Sequence, residues 1–317
     1  TEGNTTGGVP SMVAYTRCYI KDGPALLDTM ICQTYIHEGD SIKTYKVVAG
    51  ADGPPGEFRP ISHFDSSCSI TPIVAVSPVS QRVTIAYMKP ADPAGSCDYL
   101  SDICFIESMY NGDDWLAGTP WPPPPYNITN FGTTGTERGY NDLSACYDYQ
   151  DSLHIVYSTC GFDPANPGIY QPGVVRLYHW SKKTGIRMIS SAIWEGTNPG
   201  GNNCNIAKMS ISAMNPIYHP DSVYLYCIWT QFDTADNAAN GFTNGDIYGA
   251  GSPDGGATWG LAFNLTNTKT PGCLPGECLS EHWSSLSQNL YNGNLHIQYV
   301  CDRDAGAAIN WEGTWLD

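Results

Sequence analysis

The side chains able to do chemistry in this 317-residue chain are carboxylates, histidines and a few arginines. Asp22, Asp92, Asp163, Asp233 and Asp302 each follow an aromatic strand residue by three to seven positions, and Asp304 joins the last of them in Cys301-Asp302-Arg303-Asp304. Hard carboxylate oxygens suit Ca²⁺ or sugar hydroxyls, which makes Asp302 and Asp304 the metal candidates and Ca²⁺ the one ion to test. Aspartate beside Pro or Gly also bonds its own turn. That reading is favoured, so no cofactor is expected. Cleaving a glycosidic bond takes two carboxylates flanking it at a fixed separation, which spacing in sequence does not supply. His154, His179, His282 and His296 invite a metal reading, but His154 and His296 occupy equivalent repeat positions. His282-Trp283 precedes an inner strand, where it could meet a sugar or simply pack. The chain holds seven arginines, Arg17, Arg59, Arg82, Arg138, Arg176, Arg187 and Arg303, and none falls on an expected inner strand.

The elements that would position these residues form a repeat of about 72 residues, and internal repeats decide a fold before anything else. An aromatic closes a period-2 strand at Tyr15, Tyr87, Tyr157, Trp229 and Tyr299, with steps of 72, 70, 72 and 70. A turn glycine recurs at Gly39, Gly112, Gly185 and Gly256, with steps of 73, 73 and 71. Short alternating strands separated by turn signals predict an all-β propeller of about five units, spanning 1–65, 66–139, 140–203, 204–280 and 281–317 in one domain. Inner strands are expected near Ile70–Val76, Asp142–Tyr147, Ala207–Ser212 and Trp283–Asn289.

The sharpest motif is Ser252-Pro253-Asp254-Gly255-Gly256-Ala257-Thr258-Trp259, which fits S-x-D-x-G-x-T-W. Asp254 can bond its own turn, Gly256 can take a backbone conformation closed to other residues, and Trp259 can cover the turn. Ser108 to Trp115 and Ser181 to Met188 are worn copies. On these residues the chain resembles the Asp-box, or sialidase-like, β-propeller superfamily. The resemblance implies a structural turn between the third and fourth strands of a blade, with Ser252, Asp254, Gly256, Thr258 and Trp259 as scaffold away from any active site. Sialidases of that superfamily carry three arginines, a Tyr/Glu pair, an Asp and a Phe/Tyr-Arg-Ile-Pro motif. Here Phe58-Arg59-Pro60-Ile61 inverts the last two residues, and the arginine triad has no visible source. The expectation leans away from an enzyme.

The period breaks at its ends. The first unit has its second strand at Met12–Tyr15 and lacks an inner strand; the last stops before an outer one. Three readings stand open: closure with three-stranded blades, a fragment or a strand supplied in cis, and a strand supplied by a neighbouring copy. An open edge templates pairing with another chain, and strand donation is a recognised binding mode. Met12, Tyr15, Ile309, Trp311 and Trp315 would carry such a contact.

Twelve cysteines point to an oxidising compartment. Cys18–Cys68, Cys97–Cys104, Cys160–Cys204 and Cys273–Cys278 are the suggested pairs. Asn4, Asn127 and Asn264 begin N-glycosylation sequons. A net charge of −16 argues against nucleic acid and anionic membranes, and no apolar run approaches the roughly 18 residues of a membrane span. The reading is a secreted, non-catalytic extracellular module that assembles head to tail with copies of itself. The alternative is a glycan-binding protein or a sialidase-like glycoside hydrolase.

Overall fold

A computed structural model describes residues 72–90, 101–109, 125–165, 170–200, 204–214, 221–287 and 294–306, with the backbone of four earlier strands. The chain divides into two compact units, Thr1–Thr134 and Gly135–Asp317. Both are all-β, with no helix among the described residues. Their sheets are antiparallel meanders, the blades of a β-propeller.

In the first unit, β1 (Cys18–Lys21), β2 (Thr29–Thr34), β3 (Ser41–Val48) and β4 (Arg59–Ser66) form one four-stranded sheet. β5 (Ile73–Val76), β6 (Val83–Pro90), β7 (Ser101–Ser108) and β8 (Tyr126–Asn127) form the next. The first sheet thus has four strands from its own segment, the earliest at Cys18–Lys21. Met12 and Tyr15 lie outside the described residues, as do Asn4, Ile309, Trp311 and Trp315.

In the second unit, β9 (Glu137–Tyr147), β10 (Leu153–Phe162), β11 (Tyr170–Ser181) and β12 (Gly185–Ile193) make a four-stranded sheet. β13 (Ile206–Ala213), β14 (Leu225–Asn237), β15 (Thr243–Ser252) and β16 (Phe263–Asn264) make another, and β17 (Ser280–Leu286) pairs with β18 (Ile297–Asp302). Burial falls from the inner to the outer strand. β10 is buried almost end to end, whereas β12 exposes Ile186, Met188 and Ile193. A strand covered on both faces reads as a continuous apolar run, and Leu153-His154-Ile155-Val156-Tyr157 is one.

The aromatic anchors explain the repeat. Tyr87, Tyr157 and Trp229 are fully buried. Trp229 belongs to a core that joins two consecutive sheets, with Val156, Leu177 and Ile189 from one and Ile211, Cys227 and Ala250 from the other. A buried aromatic contributes far more apolar area than any other residue at that place, which fixes one per unit. Tyr299 departs from the series and is 44 % exposed, on a sheet with two strands among the described residues.

Two expectations are corrected. The inner strand β9 begins at Glu137 and so carries Arg138, which is buried with its guanidinium carbon 3.0 Å from the centre of the Phe162 ring. Cys160 and Cys204 share the buried core as thiols and form no disulfide. Burial pushes Cys204 up to about 12, and its Sγ–H donates to the Ile206 carbonyl at 2.9 Å. Cys18 faces Cys32 in the β1–β2 register; Cys68 and Cys97, the suggested partners of Cys18 and Cys104, lie outside the described residues. The pair Cys273–Cys278 is a disulfide.

Candidate functional site

The inner strands of the second unit carry bulges at equivalent places. Residues 140–142 of β9 face Ser158 alone; Lys208 and Met209 of β13 face Trp229; Trp283 and Ser284 of β17 face Tyr299. Bulges re-aim side chains and gather beside functional sites. At two of these three, a residue other than glycine takes the left-handed conformation, Lys208 at φ 53° and Trp283 at φ 57°. Each such residue costs on the order of 1–3 kcal/mol and persists only where its surroundings over-determine it.

What over-determines them is a ladder between neighbouring strands. The Ile211 amide donates to Ser144 Oγ at 3.3 Å, and one unit on the Leu286 amide donates to Ser210 Oγ at 3.2 Å. Ser284 Oγ–H donates to the Lys208 carbonyl. Asp142 then takes Lys208 twice, its backbone amide at 3.2 Å and its Nζ at 3.0 Å.

The result is a platform. Lys208 Nζ lies 4.5 Å from the centre of the Trp283 ring, a cation–π contact. The side chains of Lys208 and Asp142 are 15 % and 7 % exposed, but Trp283 is 43 % exposed. A desolvated, mutually neutralised ion pair therefore backs an open indole. Removing one partner of such a pair strands the other and costs about 3–5 kcal/mol. Sequence reading noticed Trp283 beside His282 but missed Asp142 and Lys208, whose pairing spans 66 positions. The available signal was the recurrence of polar residues at one place in successive inner strands. His282 itself is buried, its Nε2 3.5 Å from Asp302 Oδ2.

The other candidates take structural places. Asp163, Asp233 and Asp302 each accept the amide two residues on, which is turn chemistry. Burial alone would raise Asp302, but His282 and the Asp304 amide hold it below the usual carboxylate range. Asp304 Oδ1 accepts the Gly276 amide, and no group of three metal-ligating side chains assembles among the described residues.

The 252–259 turn lies between β15 and β16. Ser252 Oγ–H donates to Asp254 Oδ1 and accepts the Gly256 amide; Thr258 donates to Asp254 through its amide and its hydroxyl. Gly255 and Gly256 sit at φ 70° and 87°. Trp259 covers the buried core and lies 5.4 Å, ring to ring, from His179 of the preceding sheet. His179 Nε2 in turn lies 2.9 Å from His154 Nδ1, and His154 Nε2 lies 3.1 Å from Asp148 Oδ2.

Asn127 and Asn264 both serve a clasp. Asn127 Nδ2, Thr129 Oγ1 and the Phe131 amide donate to Asp102; Asn264 Nδ2, Thr266 Oγ1 and the Thr268 amide donate to Asp246.

No family model and no curated protein matches the chain. Among solved structures it is similar to a thermostable family-43 glycoside hydrolase (11 % identity, 97 % of this chain and 89 % of that one, TM-score 0.43). It is similar also to the α-L-arabinofuranosidase Arb93A of Fusarium graminearum (12 %, 92 % and 75 %, TM-score 0.49). A third is a family-25 polysaccharide lyase acting on ulvan (12 %, 86 % and 57 %, TM-score 0.44). Likeness at this level carries no argument about activity.

Proposed function

We propose that this protein binds carbohydrate, and that the Asp142–Lys208–Trp283 platform is the binding site. One observation carries the reading: two strained, non-glycine bulge residues in successive inner strands bring a compensated ion pair against an exposed indole. An aromatic face with a few fixed polar groups is the usual make-up of a small-molecule site. The indole would stack on the C–H face of a sugar while the Lys208–Asp142 pair fixes the ring from behind. Because the pair is internally neutral and the chain carries −16, the ligand is a neutral glycan rather than a polyanion.

Binding is favoured over hydrolysis because the platform gathers one carboxylate among the described residues, and Lys208 already occupies both its oxygens. Assembly with copies of itself has less support. Its five named residues lie outside the described ones, and the first sheet has four strands of its own. The Cys273–Cys278 disulfide suits an extracellular setting.

The test is an array of neutral and acidic oligosaccharides, with a released-sugar assay on each ligand found. Wild-type protein should bind neutral members, and Trp283→Ala should weaken binding at least tenfold with an unchanged circular dichroism spectrum. Binding that survives Trp283→Ala removes the platform from the reading; sugar release would make the protein a hydrolase.

A further inference from the structure

A cleft of about 260 Å³ lies apart from the platform, and none of Asp142, Lys208 and Trp283 lines it. It is bordered by the β9–β10 turn, the β11–β12 turn, the loop that leads into β14 and the 252–259 turn. Its size stands just under the range of about 300–1,000 Å³ usual for small-molecule pockets. It therefore suits a ligand of one amino acid or one sugar ring rather than a chain of them.

The walls are braced from within. Asp148 Oδ1 accepts the amides of Gln150 and Ser152, each at 2.8 Å, and Asp148 Oδ2 lies 3.1 Å from His154 Nε2. The Thr184 amide donates to Ser181 Oγ across the β11–β12 turn. The Gly255 amide donates to the Val223 carbonyl at 2.8 Å, which joins the 252–259 turn to the loop before β14. A site held open in this way loses little freedom when a ligand enters. Five polar side chains on these walls have no such bracing role. The Gln150 amide, the Ser152 and Ser222 hydroxyls, the Lys183 ammonium and the Asp221 carboxylate line the cleft, and none makes a hydrogen bond or ion pair among the described residues.

Charge then selects the ligand. Three carboxylates, Asp148, Asp221 and Asp254, line the cleft against one ammonium, Lys183. Burial alone would raise Asp148 and Asp254. His154 and the turn amides hold the first below the usual carboxylate range, and Thr258 and Ser252 hold the second there. An anion would meet all three carboxylates, and a simple cation would leave Lys183 facing a like charge. A zwitterion uses both signs. We propose that this cleft binds a free α-amino acid, with Lys183 taking its carboxylate, Asp221 its ammonium, and Gln150, Ser152 and Ser222 the remaining donors and acceptors. The excess of carboxylates ranks lysine above alanine, and alanine above glutamate. This site is independent of the carbohydrate platform.

The test is calorimetric titration of the full chain at neutral pH with lysine, alanine and glutamate, and with ethylamine and propionate, which each keep one of alanine's two charges. Lysine should bind most tightly. Ethylamine and propionate should each bind at least about tenfold more weakly than alanine, the weight of one charge-assisted hydrogen bond. Lys183 and Asp221 are exposed, so Lys183→Gln and Asp221→Asn should fold as the wild type does, with an unchanged circular dichroism spectrum. Each should weaken lysine binding by a similar factor, and Lys183→Gln should also close the gap between alanine and ethylamine. No heat from any amino acid at millimolar concentration overturns the proposal. So does ethylamine binding as tightly as alanine, or lysine binding that both variants leave intact.

Discussion

Gly256 is the residue at which two local systems meet. Its amide is tied to Ser252 Oγ at 2.8 Å, its φ is 87°, and a methyl group built on it would stand 2.1 Å from His179 Cε1. Backbone strain of about 1–3 kcal/mol and overpacking of about 1–3 kcal/mol add in Gly256→Ala. A fall of about 2–6 kcal/mol in urea-unfolding free energy is expected. Gly185, at φ 65° with open space around it, should give only the strain part. His179 supplies the pH dependence. Its folded value, about 3, lies below the ordinary 6.5, so the unfolded chain takes up this proton first. Its contribution to stability is therefore full above pH 6.5 and is lost as pH falls from there to 3, at a limiting slope of about 1.4 kcal/mol per pH unit. Asp148, also held low, is lost only beneath the ordinary carboxylate range. Urea midpoints between pH 7 and 4 should fall more steeply in wild-type protein than in His179→Gln. Equal slopes would take His179 out of the account.

At the scale of elements, the outermost strands are the least able to hold themselves. β8 and β16 are two residues long, with Tyr126 and Phe263 exposed. The Asp102 and Asp246 clasps fasten the chain that follows each. Asn130 and Asn267 close the same loop in the left-handed conformation, at φ 49° and 52°. A hydrogen bond to a charged group contributes about 1.5–3 kcal/mol. Asp246→Ala leaves three donors without their carboxylate and should lower unfolding free energy by about 3–5 kcal/mol. Asp102→Ala should do the same in its own unit. Chemical denaturation of each variant checks this, and a loss under 1 kcal/mol would show that water replaces the clasp. The Asn-x-Thr triplets were legible as sequons, but their carboxylates were not. Asp102 and Asp246 precede their asparagines by 25 and 18 positions on another strand, and only strand pairing brings them together. Strands were more legible: the alternating runs ending at Tyr87, Tyr157 and Trp229 lie within β6, β10 and β14. Their ends were not, because β14 runs on to Asn237 through residues with no apolar alternation.

At the scale of the molecule, the cysteines divide by environment. Cys146, Cys160, Cys204, Cys227 and Cys301 are all thiols raised above their ordinary value by burial, but the first four are buried and Cys301 is exposed. Thiolate is the reactive form. Maleimide labelling followed by peptide mapping should therefore find Cys301 modified in native protein and those four only after denaturation. Native labelling of Cys160 or Cys204 would mean that the core joining the two sheets opens readily. An even cysteine count suggested a stapled fold, yet in the second unit apolar packing between sheets takes the place of the expected Cys160–Cys204 bridge.

By itself the sequence determined the all-β class, the meander order and the turns, because alternation, aromatic anchors and turn glycines act within a few neighbouring residues. It also held the bonds among Ser252, Asp254, Gly256 and Thr258, which lie within eight consecutive positions, though not the one from the Gly255 amide to the Val223 carbonyl. Only the tertiary structure decided which residues meet across strands. Asp142, Lys208 and Trp283 come from three successive repeats, and Asp148, His154 and His179 reach the next unit's turn. Such pairings depend on register and on bulges, and a shift of one residue in a strand turns every side chain to the opposite face.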